Sequence, residues 1–173
     1  FETASGFSTT GASIFTEVEW LPKSIILWRS FTHWIGGMGI LVLVMAIVPT
    51  DSGRSIHIIR AEMPGPIIGK LVPKLKSTAK LLYLIYIVLT IVMVMLLCAG
   101  GMSLFESLVH SLGTAGTGGF GILNSSAADY TAATQVVITV FMTAFGINFG
   151  VYYLLIKGKW KEALHNEEVR VYL

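Results

Sequence analysis

Two short stretches of the chain carry residue types that could handle an ion. GFSTTGAS runs from Gly6 to Ser13, and HSLGTAGTGGFGIL runs from His110 to Leu123 with five glycines and two threonines. Glycine contributes no side chain to bury and costs backbone entropy, so such a run needs a use for bare backbone. Two uses are available: N–H groups that cradle a phosphate, or C=O groups offered to a cation. A phosphate loop needs GxxxxGK[ST] or GxGxxG between a strand and a helix. No lysine follows Gly119 and no strand pattern precedes Gly113. A dehydrated cation needs several uncharged oxygens at close range, and potassium-channel filters supply them from TVGYG loops. Thr117-Gly118-Gly119-Phe120-Gly121 is similar to that string. Threonine adds a hydroxyl and a stiff β-branched wall.

Enzyme chemistry has little to stand on. His33, His57, His110 and His165 are scattered, no HExxH occurs, and there is neither a Gly-x-Ser-x-Gly elbow nor a Cys/His pair. His33 reads as a packing histidine, and His110 as a polar cap near the interface. Cys98 lies in an apolar run and reads as a small core hydrophobe. The chain is therefore expected not to be an enzyme, and no organic cofactor is expected.

The elements that hold these loops are written in the composition. Hydrophobic residues make up 54% of the chain, charged ones only 13%, and the mean hydropathy is +0.73. A soluble domain carries about twice that charge, so the chain reads as membrane-embedded. A net charge of +2 is too small to imply nucleic acid. Three stretches are long and apolar enough to span a bilayer: Trp28 to Val48, Leu81 to Ala99, and Ala132 to Ile156. Six basic residues fall between Arg54 and Lys80 and four between Lys157 and Arg170, together ten of the twelve in the chain. Positive charge marks the cytoplasmic side, so both glycine-bearing loops face out and three alternating spans are consistent. Trp20, Trp28, Trp34 and Trp160 read as belt residues at the interfaces.

Between the second and third spans, Ser103 to Leu112 has helical apolar spacing. Ser103 is placed as an N-cap, with Glu106 completing a capping box. Ten residues give about 15 Å of helix, half a bilayer, so this is a half-helix leading into a glycine loop. The start of the chain repeats the pattern. Aligning Gly11 with Gly119 puts Thr9 on Thr117 and Thr10 on Gly118, and each loop leads on into a long helix. The unit is helix, half-helix, loop, helix, an internal repeat of the kind transporters and channels use. Residues 79–157 hold one complete copy, and residues 1–50 hold the pore loop and second helix of another. Residues 51–78 form a cytosolic connector and 158–173 a cytosolic segment. The opening Phe1-Glu2-Thr3 lacks a methionine, and the chain is expected to be a piece of something longer.

With these motifs in place, the sequence resembles the Trk/Ktr/HKT superfamily of potassium transporters, closest to its bacterial Trk-type membrane subunits. GFSTTGAS resembles the second filter loop and WRSFTHWIGGMGILVL the helix behind it. RAEMPGP with KLVPKLKSTAKLLYLIY resembles the connector into the third repeat. HSLGTAGTGGFG resembles the third filter, and FMTAFGINFGVYYLLIKG the interrupted helix after it.

The resemblance implies an all-α integral membrane fold of helix–pore-loop–helix repeats, with re-entrant half-helices around a central pore in a subunit of four repeats. It implies uptake of K⁺, with Na⁺ as a second ion, by channel or symport. The ion-facing filter residues would be Thr9, Thr10 and Gly11 with Thr117, Gly118 and Gly119; Ser8 and Gly116 would be secondary. It also implies a gate loop at residues 144–150, under the filter, around Gly146, Asn148 and Gly150. Implied partners are the lipid bilayer, the remaining repeats, a second subunit in a homodimer, and a cytosolic nucleotide-binding ring touching the connector and tail. The implied location is the bacterial inner membrane. The rival from another class is a non-conducting membrane scaffold or assembly module.

Two readings stay open on the residues themselves. Arg29 could pair with Glu2 or Glu106 to support the filter, or snorkel to the interface. The Gly36-Gly37-x-Gly39 cluster marks either close helix packing or a bend, with packing favoured.

Overall fold

The structure, a computed structural model, describes residues 1–39 and 75–172. The described residues form helices and connecting loops, with no strand among them. In chain order the helices are α1 (Glu2–Phe7), α2 (Lys23–Met38), α3 (Leu75–Ala99), α4 (Leu104–Ala115), α5 (Ala132–Gly146), α6 (Phe149–Ile156), α7 (Trp160–Leu164) and α8 (Glu167–Tyr172). The second half of the expected first span and most of the 51–78 connector lie outside the described residues. So do the basic residues Arg54, Arg60, Lys70 and Lys74.

Local sequence explains where the helices begin. Pro22 opens α2: its fixed φ suits a helix start, and its carbonyl accepts from Ile25 N at 2.9 Å and Ile26 N at 3.2 Å. The expected capping box opens α4. The Glu106 N–H donates to Ser103 Oγ at 3.3 Å, and the Ser103 N–H donates to Glu106 Oε2 at 3.0 Å. The half-helix runs on to Ala115, three residues beyond the apolar spacing that predicts it. α3 begins at Leu75, ahead of the apolar run that starts at Leu81.

Two compact units emerge. The first holds Phe1–Met38 and Ile87–Gly146. In it α2 packs on both α1 and α4, and α4 packs on α5. α1 lies close against α2, because a Cβ on Gly36 would strike the Phe7 carbonyl and one on Gly6 would strike the Thr32 side chain. The glycine cluster in α2 therefore serves packing at Gly36. Ile26, Met93, Leu97, Met102, Val109, Leu112 and Ile138 are buried here. Trp34 is turned inward rather than to an interface, its Nε1 donating to Thr90 Oγ1 at 3.2 Å. Trp20 and Trp28 remain exposed.

The second unit draws on the first half of α3 and on α6 to α8. Val151, Leu154 and Ala163 form its buried centre, flanked by Ile147, Leu155 and Val169. Tyr86 is fully buried and meets the Phe149 ring edge-on, centroids 5.7 Å apart.

Among the described residues, Ala79–Ala99 is one helix long and apolar enough to cross a membrane, and α5 with α6 reach that length only as a pair. Leu84, Val88, Ile91 and Met95 follow one face of α3 and are all exposed. A soluble protein rarely leaves so continuous an apolar stripe uncovered.

Candidate ion-binding loops

Both expected loops begin at the C-terminus of a short helix, and the two ends share one geometry. Ser8 caps α1 with φ −83° and ψ 0°, and Gly116 caps α4 with φ −80° and ψ −1°. The next residue in each loop is a threonine in the left-handed region: Thr9 at φ 55° and Thr117 at φ 56°. Two residues on, Gly11 sits at φ 74° and Gly119 at φ 78°. Thr9 N–H bonds the Gly6 carbonyl at 2.9 Å, as Thr117 N–H bonds that of Thr114 at 2.8 Å. A β-branched residue at positive φ is a genuine outlier, and it persists only where its surroundings enforce it. Here it occurs twice, at positions the internal alignment makes equivalent.

The carbonyl after each glycine is also fixed, by opposite means. Ser5 Oγ donates to the Ala12 carbonyl at 2.6 Å. At the equivalent place in the second loop stands Gly113, where an added Cβ would run into the Phe120 carbonyl oxygen. The loops then meet each other, since a Cβ on Gly11 would strike the Gly118 carbonyl oxygen. Of the six expected site residues in the loops, Gly11 and Gly118 are thus brought together, backbone to backbone. The loops part at one bond: Thr10 N–H donates to the Ser5 carbonyl at 3.0 Å, whereas it is Gly119 N–H that donates to Gly113, at 3.3 Å. Ser8 Oγ and Thr10 Oγ1 lie 2.8 Å apart across the first loop.

α2 backs both loops. Arg29 is 3% exposed, and its Nε donates to Glu2 Oε2 at 2.6 Å. Its Nη2 reaches Ser13 Oγ at 3.2 Å, and its guanidinium lies 4.1 Å from the centroid of the Phe120 ring. Of the two candidate partners Arg29 takes Glu2, and Glu106 is engaged at the α4 cap. Glu2 also accepts from Ser13 Oγ at 2.9 Å and from Ile14 N at 2.8 Å. Partial burial works to raise the Glu2 carboxyl, but the Ile14 N–H, Arg29 and Ser13 outweigh it, so its pKa lies below the ordinary carboxylate value. One turn along α2, the His33 ring stacks on Phe120 at 4.0 Å and abuts Gly118. It is fully buried and acts in packing.

On the far side of the loops Asn124 clasps the segment before α2. Its backbone N–H donates to Glu19 Oε1 at 3.1 Å, its Nδ2 donates to Glu17 Oε2 at 2.8 Å, and its Oδ1 accepts from Val18 N at 2.8 Å. His110 Nε2 and the Tyr130 hydroxyl lie 3.3 Å apart.

The remaining expected site residues lie where α5 gives way to α6. Helical geometry is lost at Ile147 and Asn148 alone, not throughout 144–150: Gly146 ends α5 and Gly150 lies inside α6. Asn148 confines the break. Its Oδ1 accepts from Gly150 N at 2.8 Å as the N-cap of α6, and its Nδ2 donates to Glu168 Oε2 at 3.0 Å.

Residues 1–168 match the TrkH family, described as a cation transport protein. The chain belongs to that family. It is 37% identical over 161 residues to the Trk system potassium uptake protein TrkH of Escherichia coli K12, covering 92% of this chain and 33% of that protein. It is 32% identical to the Trk system potassium uptake protein TrkG of the same strain, over all of this chain and 36% of the relative. The fold matches the crystal structure of the potassium transporter TrkH from Vibrio parahaemolyticus with a TM-score of 0.70 and 32% identity, over 91% of this chain and 31% of that one. The chain therefore spans about a third of the length of the curated relatives it matches.

In this TrkH-family chain, several supporting residues have no sequence pattern to announce them. Ser5, Gly113 and Asn124 act through partners that only the folded loops bring near. Arg29 is the exception, since a charged residue in an apolar span is costly unless it finds a partner.

Proposed function

We propose that this chain contributes two of the carbonyl-lined loops of a potassium uptake pore, within a membrane subunit of four such repeats. The observation that carries this is the duplicated backbone: threonine then glycine, both at positive φ, at equivalent positions of two loops that touch through Gly11 and Gly118. A left-handed residue between ordinary ones turns its peptide planes, so consecutive carbonyls can be aimed to one side rather than alternating. Thr9, Thr10, Gly11, Thr117, Gly118 and Gly119 then offer oxygens to a dehydrated K⁺, with Na⁺ as the competing ion. Arg29, although cationic, does not cancel this, because Glu2 neutralises it. The interrupted helix at Ile147–Asn148 is the gate element. The other repeats complete the filter. A homodimeric partner subunit and a cytosolic nucleotide-binding ring complete the assembly, the ring acting through the connector and the tail. No enzymatic activity, organic cofactor or nucleic acid enters this function.

The decisive test is flux. The full-length protein reconstituted in liposomes is expected to carry K⁺ down an imposed gradient. Protein that inserts and assembles but carries no ion would instead support the non-conducting scaffold.

We place the loops outside and the tail in the cytoplasm of a bacterial inner membrane. Single cysteines replacing Asp129 and Lys159 in the full-length protein, with Cys98 removed, are expected to label from opposite sides of sealed vesicles. Labelling of both from one side would refute this topology.

A further inference from the structure

We propose that Arg29 is a positioning residue for ion discrimination, stapling the half-helix of the first loop to the residue after the filter glycine of the second. The inference rests on the filter function proposed above. One guanidinium makes both contacts: its Nε bonds Glu2 in the first turn of α1 at 2.6 Å, and its Cζ lies over the Phe120 ring, 4.1 Å from the centroid. Glu2 leads through α1 into Thr9–Gly11, and Phe120 directly follows Gly119. Phe120 is 4% exposed, pressed between Arg29 and His33, with its own carbonyl against Gly113.

The ring is therefore a handle on the Gly119–Phe120 peptide. Holding it on one side fixes the carbonyls that precede it. K⁺ and Na⁺ differ in radius by a fraction of an ångström, so a small shift of those oxygens is felt in selectivity before it is felt in folding. A lysine in place of Arg29 would keep the charge beside Glu2 but lose the planar face that stacks on the ring.

The experiment compares K⁺ and Na⁺ uptake, per inserted molecule, for full-length R29Q, R29K, F120L, the double variant R29Q/F120L, and G119S as the reference. F120L is expected to lower K⁺ over Na⁺ discrimination about fivefold, and R29Q by a similar factor. The double variant is expected to show no more than either single change, the mark of one shared contact. R29K is expected to insert normally yet discriminate no better than F120L. A purely structural arginine would lower the amount of inserted protein and leave the ratio unmoved. Should R29Q fail to insert, F120L decides, since it leaves the ion pair intact. Unchanged discrimination in F120L, with G119S impaired, overturns the staple alone. Unchanged discrimination in G119S as well overturns the filter function and the staple with it.

Discussion

Full-length Gly119→Ser is expected to lose about tenfold of its preference for K⁺ over Na⁺ while inserting and folding close to normally. Gly119 sits at φ 78°, and among the described residues nothing lies within 4 Å of where its Cβ would point. Among the described residues the substitution therefore meets no clash, and its cost there is conformational. A left-handed backbone costs an L-residue roughly 1–2 kcal/mol, and relaxing that strain means turning the peptide planes on either side. If those planes hold the ion's oxygens, that energy appears as discrimination, at about tenfold per 1.4 kcal/mol. Gly11 makes the instructive contrast. Its φ is similar, but its Cβ would strike the Gly118 carbonyl, so Gly11→Ala should impair folding as well as selectivity. Uptake of the two ions measured side by side checks this. A Gly119→Ser protein that discriminates as well as the parent would remove Thr117 to Gly119 from the ion's path.

The second large effect is expected at the helix interruption. Deleting residues 144–150 from the full-length protein should raise K⁺ flux about tenfold and leave the K⁺ to Na⁺ ratio roughly unchanged. That size follows if the conducting state is a minor one of about a tenth, which leaves that much to gain. The deletion removes the last three residues of α5, the two non-helical residues and the first two residues of α6. It also removes Asn148, which caps α6 at Gly150 and bonds Glu168 in α8. Selectivity should survive because the loops that would hold the ion belong to a different part of the chain. Initial rates at matched protein levels decide the matter, and flux no greater than the parent's would exclude gating here.

Much of this was legible in the sequence, for reasons that differ by element. α4 announces itself through Ser103 and Glu106, a signal complete within four residues. α3 announces itself by an uncharged apolar run that no soluble loop would carry. The loop equivalence is legible because threonine and glycine are chosen for backbone shape, and shape is what the repeat preserves. The break after Gly146 is legible too, but not its extent, because an asparagine can cap a helix as well as disrupt one. Other features depend on residues far apart in the chain. Asn124 and the glutamates it clasps are 105 and 107 positions away from each other. The pairing of Arg29 with Glu2 likewise joins residues 27 positions apart.

Ser5 and Gly113 show how two loops of one shape can be held differently. The two loops keep one backbone shape, yet one is tethered by a hydroxyl and the other by the absence of any side chain. Neither solution can be transplanted. A serine at Gly113 would have its Cβ driven into the very carbonyl it was meant to hold, while a glycine at Ser5 would leave that of Ala12 untied. The two loops therefore keep a shared backbone shape by contacts that cannot be exchanged between them. If the two loops line a pore as proposed, the ion would be held from unequal sides, as it would not be in a pore of identical subunits.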